Sequence, residues 1–442
     1  MIDAMSEQAV AFNVKRSAAG RVWRLRAVSD AQVLALTQQQ DIPELLARIL
    51  AARGVAPAQL ASYLDPKLRD SLPDPAILKD CEKAAKRLAD AVVNKEKIAI
   101  FGDYDVDGAT SSAVLARYLM ALGQPPHCYI PDRQKEGYGP NQAAFDALYD
   151  DGFKLVVTVD CGTMAHAVLA HAKRRGMQII VADHHQTGGG LPDCFALINP
   201  RRADCTSDLG YLAAVGVSFL LVVALNRQLR QMDFFDAENP PPDLLALTDL
   251  VALGTVCDVV PLQGVNRAFV KQGLKMAEQT KNLGLTALKQ VAHTANSNTR
   301  WDSYMLGFQL GPRINAGGRI GQPDLGVRLL TTESQEEASA LALRLNEYNS
   351  ERQQIEAAVL QEATQAVEDM VASRNAVPPY LLQAREGWHA GVVGIVAGRL
   401  KDTYHRPSFV IALDKNGMGK GSARSVSSVD IGRLVAQAMD KG

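Results

Sequence analysis

Short apolar runs and longer segments of helical periodicity alternate along the chain from about residue 81 onward. Strands are predicted where short, mostly apolar, β-like runs occur, at 97–102, 127–130, 155–159 and 178–182, the first of them a buried strand. Helices are predicted where apolar residues recur every three or four positions, at 81–93, 109–122, 140–149 and 163–175. Alternation of this kind predicts an α/β fold with a mostly parallel sheet and helices on both of its faces.

A long segment without Gly or Pro, residues 333–373, is followed by a second αβ pattern. This segment is rich in Ala, Leu, Glu and Gln, so it predicts one helix of roughly 60 Å, or two helices with a kink. Strand-like runs at 380–383 and 408–413 then flank a helical segment at 391–404. The predicted organisation is an N-terminal cap segment, a larger α/β domain, a connecting helix and a smaller second α/β domain, at 1–80, 81–332, 333–376 and 377–442.

Two further segments complete the larger domain. Residues 204–256 are predicted to be mostly helical, with a break at the proline-rich turn 239–242. Residues 310–321 contain four glycines, and each glycine inside a helix costs about 1 kcal/mol relative to Ala. A non-helical segment is therefore predicted at 310–321.

The charge balance excludes several classes of protein. The 442 residues carry 47 Lys and Arg against 48 Asp and Glu, a formal net charge of −1, which argues against a polybasic nucleic-acid coat and an acidic disordered tail. No stretch reaches the roughly 18 apolar residues of a membrane span, and the N-terminus lacks the apolar core of a secretion signal. The six cysteines show neither Cys-x-x-Cys nor metal-ligand spacing. These features predict a cytoplasmic protein with reduced thiols.

Three carboxylates follow the strand predicted at 97–102. Asp103, Asp105 and Asp107 alternate with Tyr and Val and precede Gly108. Ligands bind at the carboxyl ends of strands in open α/β sheets, and neighbouring carboxylates repel one another unless a hard divalent cation neutralises them. A calcium loop would place Glu at its twelfth position, which is Val114 here, so calcium coordination of that type is disfavoured.

Similar polar residues follow two other predicted strands. Asp160 comes directly after 155–159, and Asp183-His184-His185 directly after 178–182. A lone Asp at a strand end is more often a cap, and a lone His pair is more often structural. Together with Asp258, a carboxylate among apolar residues, these groups nevertheless predict a site for two cations. Imidazole beside carboxylates favours manganese or magnesium over calcium.

These motifs resemble the DHH phosphoesterase superfamily. The residues that carry the resemblance are Asp103-Tyr-Asp-Val-Asp107, Asp160 with Gly162, Asp183-His-His185 and Asp258. Further segments resemble the RecJ branch of single-strand-specific exonucleases, namely Gly-Tyr-Gly at 137–139, Pro-Arg-Ile-Asn-Ala-Gly-Gly-Arg at 312–319, Gly-Trp-His-Ala-Gly-Val-Val-Gly at 387–394 and Gly-Ser-Ala-Arg-Ser at 421–425. The resemblance extends from about residue 65 to the C-terminus.

The resemblance implies a role for each acidic and imidazole group. Asp105 would bind one cation and Asp107 the other, Asp160 would bridge them, and His184 and Asp258 would complete the ligand set. Asp103 and His185 are expected to lie behind the ligands or to face the phosphate, and either could also bind a cation directly. Asp183 is expected to orient a ligand histidine or to cap its loop.

Polar residues outside the acidic clusters fit a phosphodiester substrate. The resemblance implies that Arg133, Ser422 and Arg424 hold the terminal 5′-phosphate and that His389 faces the scissile bond from the second domain. Arg313 and Arg319 are expected to bind the strand, although any one arginine taken alone is as readily explained as a solvated surface residue. Trp388 either stacks on a base or belongs to the core, and the core is favoured.

The function implied by the resemblance is 5′→3′ hydrolysis of single-stranded DNA to mononucleotides, dependent on two Mn²⁺ or Mg²⁺ ions, in recombination and DNA repair. We expect a monomer that does not associate with membranes, with a helicase and a single-strand-binding protein as candidate partners. One alternative is a DHH phosphodiesterase for short oligonucleotides or cyclic dinucleotides. Another is a non-catalytic scaffold that binds single strands, which the presence of every expected ligand disfavours.

RecJ-like chains continue past the 421–425 motif into a Gly-Gly-Gly-His segment and then an OB-fold. Neither segment occurs in this sequence. We therefore expect 377–442 to be an incomplete second domain, in either a truncated or a naturally minimal form. Such a chain is expected to bind long strands weakly and to process them poorly.

Overall fold

Parallel strands form the sheet of the larger domain in the computed structural model, which describes residues 10–18, 20, 22–133, 135–292 and 300–439. Within those residues the sheet has five strands in the order β2-β1-β3-β4-β5. Their bounds are β1 Ile98–Gly102, β2 His127–Tyr129, β3 Leu155–Val159, β4 Gln178–Ala182 and β5 Ala196–Ile198. The predicted α/β fold is confirmed, and β5 is a strand that the sequence pattern missed.

Helices surround this sheet and continue into the second domain. Their bounds are α1 Asp30–Gln40, α2 Glu44–Ala52, α3 Leu60–Leu64, α4 Leu68–Ser71, α5 Cys81–Val93, α6 Val106–Ala121, α7 Gln142–Asp150, α8 His166–Arg174, α9 Ala214–Gln231, α10 Thr248–Cys257, α11 Gly264–Ala277, α12 Leu283–Ala292, α13 Gly311–Ile320, α14 Leu325–Thr331, α15 Gln335–Arg374, α16 Val393–Tyr404 and α17 Ile431–Met439. A π-helical segment, Met305–Leu310, leads directly into α13.

The two faces of the sheet are covered by different helices. On one face, side chains such as Ile100 and Val157 pack against α5, α6 and α9. On the other face, Phe101 and Val156 pack against α7 and α8. Successive residues of a strand point to opposite faces, so a strand covered on both sides is mostly apolar, as the sequence pattern indicated.

The predicted connecting helix is one continuous element, α15, with 40 residues. Leu341 and Leu345, in its first half, pack into the core of the larger domain. Val359 and Val367, in its second half, pack into the core of the smaller domain. Because both cores use the same rigid helix, α15 fixes the position of the second domain relative to the first.

The second domain contains a mixed sheet. Within the described residues it has three strands, β6 Leu381–Glu386, β7 Ser408–Leu413 and β8 Gly419–Arg424, in which β6 and β7 are parallel and β8 is antiparallel to β7. Trp388 packs in this domain's core and is 9% exposed, while its indole N–H donates to Glu362 Oε2 at 2.8 Å. The core interpretation of Trp388 is therefore confirmed.

The prediction of a non-helical segment at 310–321 is wrong, because Gly311–Ile320 forms α13. Its glycines allow close packing that any side chain would block. A Cβ at Gly318 would lie 2.7 Å from the Tyr104 ring, and one at Gly311 would lie 2.5 Å from Cys257 Sγ. The low intrinsic helix propensity of glycine is thus outweighed by tertiary contacts.

The proposed domain bounds run into residues that the structure does not describe, at 1–9 and 440–442. Throughout the described part of the chain, no helix combines the length and hydropathy that a membrane span requires.

The six cysteines are unpaired. Burial raises the pKa of Cys81 to about 12 and that of Cys194 to about 11.

Candidate metal centre

Three neighbouring strands of the larger domain end at the same level. Gly102 at the end of β1 pairs with Val159 at the end of β3, and Val159 pairs with Ala182 at the end of β4. The next residue in each case is an aspartate, namely Asp103, Asp160 and Asp183. The sheet register therefore brings these three predicted residues side by side at its carboxyl edge.

Two further carboxylates are held by helix N-termini. Asp105 is the N-cap of α6, and its Oδ1 accepts the Gly108 N–H at 3.1 Å. Asp107, in the first turn of α6, is 1% exposed. Its oxygens accept the N–H groups of Ala214 at 2.7 Å and Val215 at 2.9 Å, at the start of α9. Free backbone N–H groups at helix starts stabilise anionic partners, so both carboxylates are held in fixed orientations.

His184 directs one ring nitrogen at three carboxylates. Its Nδ1 lies 3.0 Å from the carbonyl oxygen of Leu212; since a carbonyl can only accept, Nδ1 carries the proton and Nε2 keeps its lone pair. Nε2 lies 3.3 Å from Asp160 Oδ1, and 3.7 Å from both Asp107 Oδ2 and Asp258 Oδ2. Burial lowers the pKa of His184 to about 4, which favours the neutral, ligating form.

The predicted ligands fall into overlapping groups whose donor atoms lie within 4.8 Å of one another. The groups are Asp107-His184-Asp258, Asp103-Asp105-Asp160 and Asp160-His184-His185. Asp105 and Asp107 belong to different groups, and Asp160 takes part in two. Asp103 shares a group with Asp105 and Asp160, a position from which its carboxylate can reach a cation directly.

The buried carboxylates of the cluster repel one another, and a bound cation would offset this repulsion. Burial, together with the neighbouring Asp105, raises the pKa of Asp103 to about 8 and that of Asp258 to about 6. Burial also raises the pKa of Asp107 well above its usual range, and repulsion from Asp258 adds to this effect. The pKa of Asp160 is raised in the same way by burial and then by repulsion from Asp107. Carboxylates packed so closely can all ionise only beside a cation.

Two buried oxygens of the cluster also lack a protein partner. Asp160 Oδ1 and Asp258 Oδ2 accept no hydrogen bond from the described residues. A buried polar atom without a partner is costly, and these oxygens point into the space that His184 Nε2 faces. Hard oxygen donors with one or two imidazoles suit Mn²⁺ or Mg²⁺. The residues present therefore fit a pair of divalent cations.

Asp183 supports the cluster from behind. Its Oδ2 accepts the Thr163 N–H at 3.0 Å, and its Oδ1 lies 2.7 Å from His185 Nδ1. Burial alone would raise the pKa of Asp183, but the hydrogen bonds from His185 and Thr163 hold it below its usual range. The hydrogen bond between His185 and Asp183 raises the pKa of His185. Asp183 therefore orients His185, rather than joining the three donor groups.

The predicted phosphate-binding residues come from both domains. Arg133 is exposed, with its guanidinium 5.3 Å from the centroid of the Tyr104 ring, beside the acidic cluster. Ser422 and Arg424 lie on β8, where Arg424 Nη1 donates to Ser422 Oγ at 3.2 Å. A Cβ at Gly394 would lie 3.1 Å from Ser422 Oγ, so the first turn of α16 adjoins this pair.

The two domains meet where Arg319 reaches the loop after β6. Its Nη1 donates to the Gly391 carbonyl at 3.2 Å. In the same loop His389 Nδ1 accepts the Gly391 N–H at 3.0 Å, and burial lowers the pKa of His389. Arg313 donates to Asn346 Oδ1 at 2.9 Å, so part of its guanidinium is engaged within the protein. Arg319 and His389 therefore lie near one another.

A cleft of about 770 Å³ lies between α13, α15 and α16. Among the described residues that line it are four arginines and one glutamate, namely Arg313, Arg319, Arg352, Arg399 and Glu356. Asn315 also lines it, and its Oδ1 accepts the Val106 N–H at 3.2 Å, so the cleft is connected to the start of α6. The sequence motifs did not reveal Arg352 or Arg399, because their spacing within α15 and α16 is that of ordinary helix-surface residues.

Gly108→Ala is expected to damage the acidic cluster through packing. A Cβ at residue 108 would lie 2.4 Å from the Asp103 carbonyl oxygen and 2.7 Å from Asp103 Cα, so α6 would have to move away from β1. We expect a loss of about 1–3 kcal/mol in the free energy of unfolding, measured in urea. Gly188→Ala is the control, since the nearest atom is 3.5 Å away; equal stability of the two variants would contradict the packing argument.

Comparison with known proteins places the chain. Residues 97–255 match the DHH family, N-terminal domain, and residues 378–442 match the DHHA1 domain. The single-stranded-DNA-specific exonuclease RecJ of Salmonella typhimurium is 40% identical over 392 residues, which cover 88% of this chain and 67% of that protein. The chain belongs to the RecJ family. Apart from Asp258, the acidic and histidine residues of the cluster lie within the segment that matches the DHH domain.

Two other members of the RecJ family show how far the likeness extends. The RecJ exonuclease of Bacillus subtilis is 38% identical over 424 residues, covering 95% of this chain and 51% of that protein. The crystal structure of RecJ from Thermus thermophilus in complex with Mn²⁺ superposes with a TM-score of 0.77 at 31% identity, covering 94% of this chain and 57% of that one. The chain therefore spans about half to two thirds of the length of these relatives.

Proposed function

We propose that the chain is a metal-dependent exonuclease that hydrolyses single-stranded DNA from its 5′ end to mononucleotides. The observation that carries this proposal is the pair of donor groups, Asp107-His184-Asp258 and Asp103-Asp105-Asp160, packed at one sheet edge within 4.8 Å in each group. In this proposal residues 81–332 form the catalytic domain and 377–442 the substrate-binding domain, with 333–376 connecting them and 1–80 as a cap. The single-strand exonuclease activity named for the RecJ relatives supports it.

The proposed cations are two Mn²⁺ or Mg²⁺ ions. Asp107, His184 and Asp258 would hold one, Asp105 and Asp103 the other, and Asp160 would contribute to both. The Mn²⁺ bound in the Thermus thermophilus RecJ structure supports the choice of cation. Two such ions lower the pKa of a water molecule and offset the negative charge that develops on the attacking and leaving oxygens.

The protein side chains in this proposal orient and retain the reacting groups. The Leu212 carbonyl holds the His184 ring, and Asp183 holds His185, so neither imidazole can rotate away from the cluster. His185 Nε2 lies 3.4 Å from the Tyr138 hydroxyl, so in this proposal Tyr138 would lie beside the scissile phosphate. His389 would approach the same phosphate from the second domain.

In this proposal, hydrolysis runs from 5′ to 3′ because a pocket binds the terminal 5′-phosphate. Arg133 would approach this phosphate from the first domain, and Ser422 and Arg424 from the second. The adjoining N-terminus of α16 adds backbone N–H groups, which favour bound phosphate. The rest of the strand would follow the cleft lined by Arg313 and Arg319, where positive charge offsets that of the backbone.

The test is digestion of 5′-labelled and 3′-labelled single strands in Mn²⁺ or Mg²⁺. The proposal expects early release of a labelled mononucleotide from the 5′-labelled strand and gradual shortening of the 3′-labelled strand. Hydrolysis of dinucleotides or cyclic dinucleotides alone would favour the phosphodiesterase alternative. Binding without hydrolysis would favour the scaffold alternative, and either outcome would overturn the proposal.

Arg424→Ala is expected to remove most of the preference for a 5′-phosphorylated end. Hydrogen bonds to a charged group contribute enough for a loss of about 10-fold or more in kcat/KM on 5′-phosphorylated strands, with little change on 5′-hydroxyl strands. The matched control is Arg406→Ala, a partly exposed arginine of the second domain, which donates only to a neighbouring backbone carbonyl among the bonds described. An equal loss on both kinds of strand would refute the phosphate pocket.

The cellular setting forms part of the same proposal. We infer a monomer that acts in the cytoplasm, in recombination and DNA repair, with a helicase to expose single strands and a single-strand-binding protein to protect them. The support is the membership of the RecJ family together with the single-strand substrate proposed above. Sedimentation of the purified chain would reveal a dimer if the monomer assignment is wrong.

A further inference from the structure

An exposed pair of aromatic rings borders the arginine-lined cleft and takes no part in the chemistry proposed above. The rings of Tyr304 and Phe308 stack, with centroids 5.1 Å apart and an interplanar angle of 21°. Tyr304 is 61% exposed and Phe308 is 71% exposed, and Phe308 lines the cleft. A stacked pair left open to water presents a flat apolar surface, unlike the single exposed apolar residues that are ordinary on proteins.

The backbone under this pair is firmly anchored. Tyr304 directly precedes the π-helical segment Met305–Leu310, and Phe308 lies within it. Met305, Leu306 and Leu310 are each at most 1% exposed, so the other face of the segment is held in the core. π-helical turns are rare and are frequent at functional sites. The two rings are therefore carried on a rigid support that directs them outward.

The surroundings of the pair identify the chemistry of its partner. The cleft that Phe308 lines also contains Arg313, Arg352 and Arg399. Phe308 precedes Asn315 by seven residues in a continuous helical segment, about 10 Å along the axis. Asn315 in turn accepts the Val106 N–H between two residues of the acidic cluster. Aromatic rings beside a basic groove suit a single-stranded nucleic acid, whose bases stack and whose phosphates are anionic.

We propose that Tyr304 and Phe308 form a stacking platform for bases of the strand on the far side of the scissile bond from the 5′ end. The inference rests on the function proposed above and adds a determinant of strand length. A strand bound only at the acidic cluster and the phosphate pocket would not reach the platform. A longer strand that follows the cleft would place one or more bases on the exposed rings.

The test compares Tyr304→Ala, Phe308→Ala and the double variant with the unaltered chain in Mn²⁺. KM and kcat are measured on a 5′-phosphorylated dinucleotide and on a 5′-phosphorylated strand of about 20 nucleotides, long enough to occupy an extended site. The double variant is expected to raise the ratio of KM for the long strand to KM for the dinucleotide by about 10-fold or more, as the loss of base stacking predicts. Both side chains are exposed, so the fold should be retained.

Two controls make the result specific. Phe308→Trp keeps an aromatic face and should preserve the ratio within about twofold, since every base can stack on an indole. Tyr380→Ala removes another tyrosine, 56% exposed, which precedes β6 and thus lies about 20 Å along that strand from the loop that Arg319 contacts. Tyr380→Ala should leave the ratio unchanged.

The outcomes separate the platform from the proposed function. If the unaltered chain hydrolyses neither substrate, the proposed function fails. If it hydrolyses both and the double variant shows the same KM ratio, the platform is overturned and the rings serve another partner, such as a protein. Base stacking would be supported if the double variant raised the ratio of KM for the long strand to KM for the dinucleotide and Phe308→Trp did not.

Discussion

Asp160→Asn is expected to abolish metal-dependent hydrolysis, with kcat falling by about 10³-fold or more, the scale on which lost charge stabilisation by a bound cation acts. The backbone at Asp160 has φ of 59°, a left-handed conformation that Asn adopts readily, so the change removes charge with little strain. Asp160 Oδ1 accepts no hydrogen bond from the described residues, and the proposal assigns the Asp160 carboxylate a contribution to both cations. The measurement is single-turnover hydrolysis of a labelled single strand.

The same substitution should leave the cation-free protein at least as stable as the unaltered chain. A buried carboxylate without a partner, repelled by Asp107, costs folding free energy, and a neutral amide removes that cost. The control is Asp233→Asn, an exposed position with a similar φ of 55°. Activity close to that of the unaltered chain in Asp160→Asn would rule out the two-cation assignment.

Mn²⁺ is expected to raise the melting temperature of the unaltered chain by about 3–8 °C at a concentration near 100 times its Kd, because a ligand that binds only the folded state stabilises it. Removing the cation with a chelator should reverse the shift and stop hydrolysis. His184→Gln should lose most of the shift, since Nε2 of His184 faces Asp107, Asp160 and Asp258 within 3.7 Å. Differential scanning calorimetry reports this result without relying on activity.

His171→Gln is the matched control for that experiment. His171 is a partly buried histidine of α8 whose Nε2 lies 2.8 Å from Asp146 Oδ1, on the helix layer and outside the acidic cluster. The cation-induced rise in melting temperature should be the same in this variant as in the unaltered chain. If His184→Gln kept the full rise as well, the cations would have to bind elsewhere.

Local patterns determined the elements that carry the site. A short, mostly apolar run followed by an aspartate is recognisable from sequence, because a strand buried on both faces is mostly apolar and charged residues can begin only where it ends. Asp103, Asp160 and Asp183 were predicted in this way. The sheet register, with Gly102 opposite Val159 and Val159 opposite Ala182, then confirmed that the three strand ends meet.

Helix propensity misled the prediction at α13. The four glycines at 310–321 disfavour a helix when the segment is considered alone. In the folded chain Gly318 lies against Tyr104, and Gly311 against Cys257, both far away in sequence. The free energy of such packing depends on which surfaces meet, and that information is absent from the segment itself.

By itself, the sequence determined which residue types could bind cations and phosphate, and that Asp103, Asp160 and Asp183 follow strands. The tertiary structure alone decided the grouping of Asp103 with Asp105 and Asp160, the arginines that α15 and α16 bring to one cleft, and the outward stack of Tyr304 on Phe308. The physical reason is the range of the interactions. Strand and helix patterns arise from neighbours within a few positions, whereas a donor group, a cleft or an exposed surface depends on how distant segments pack.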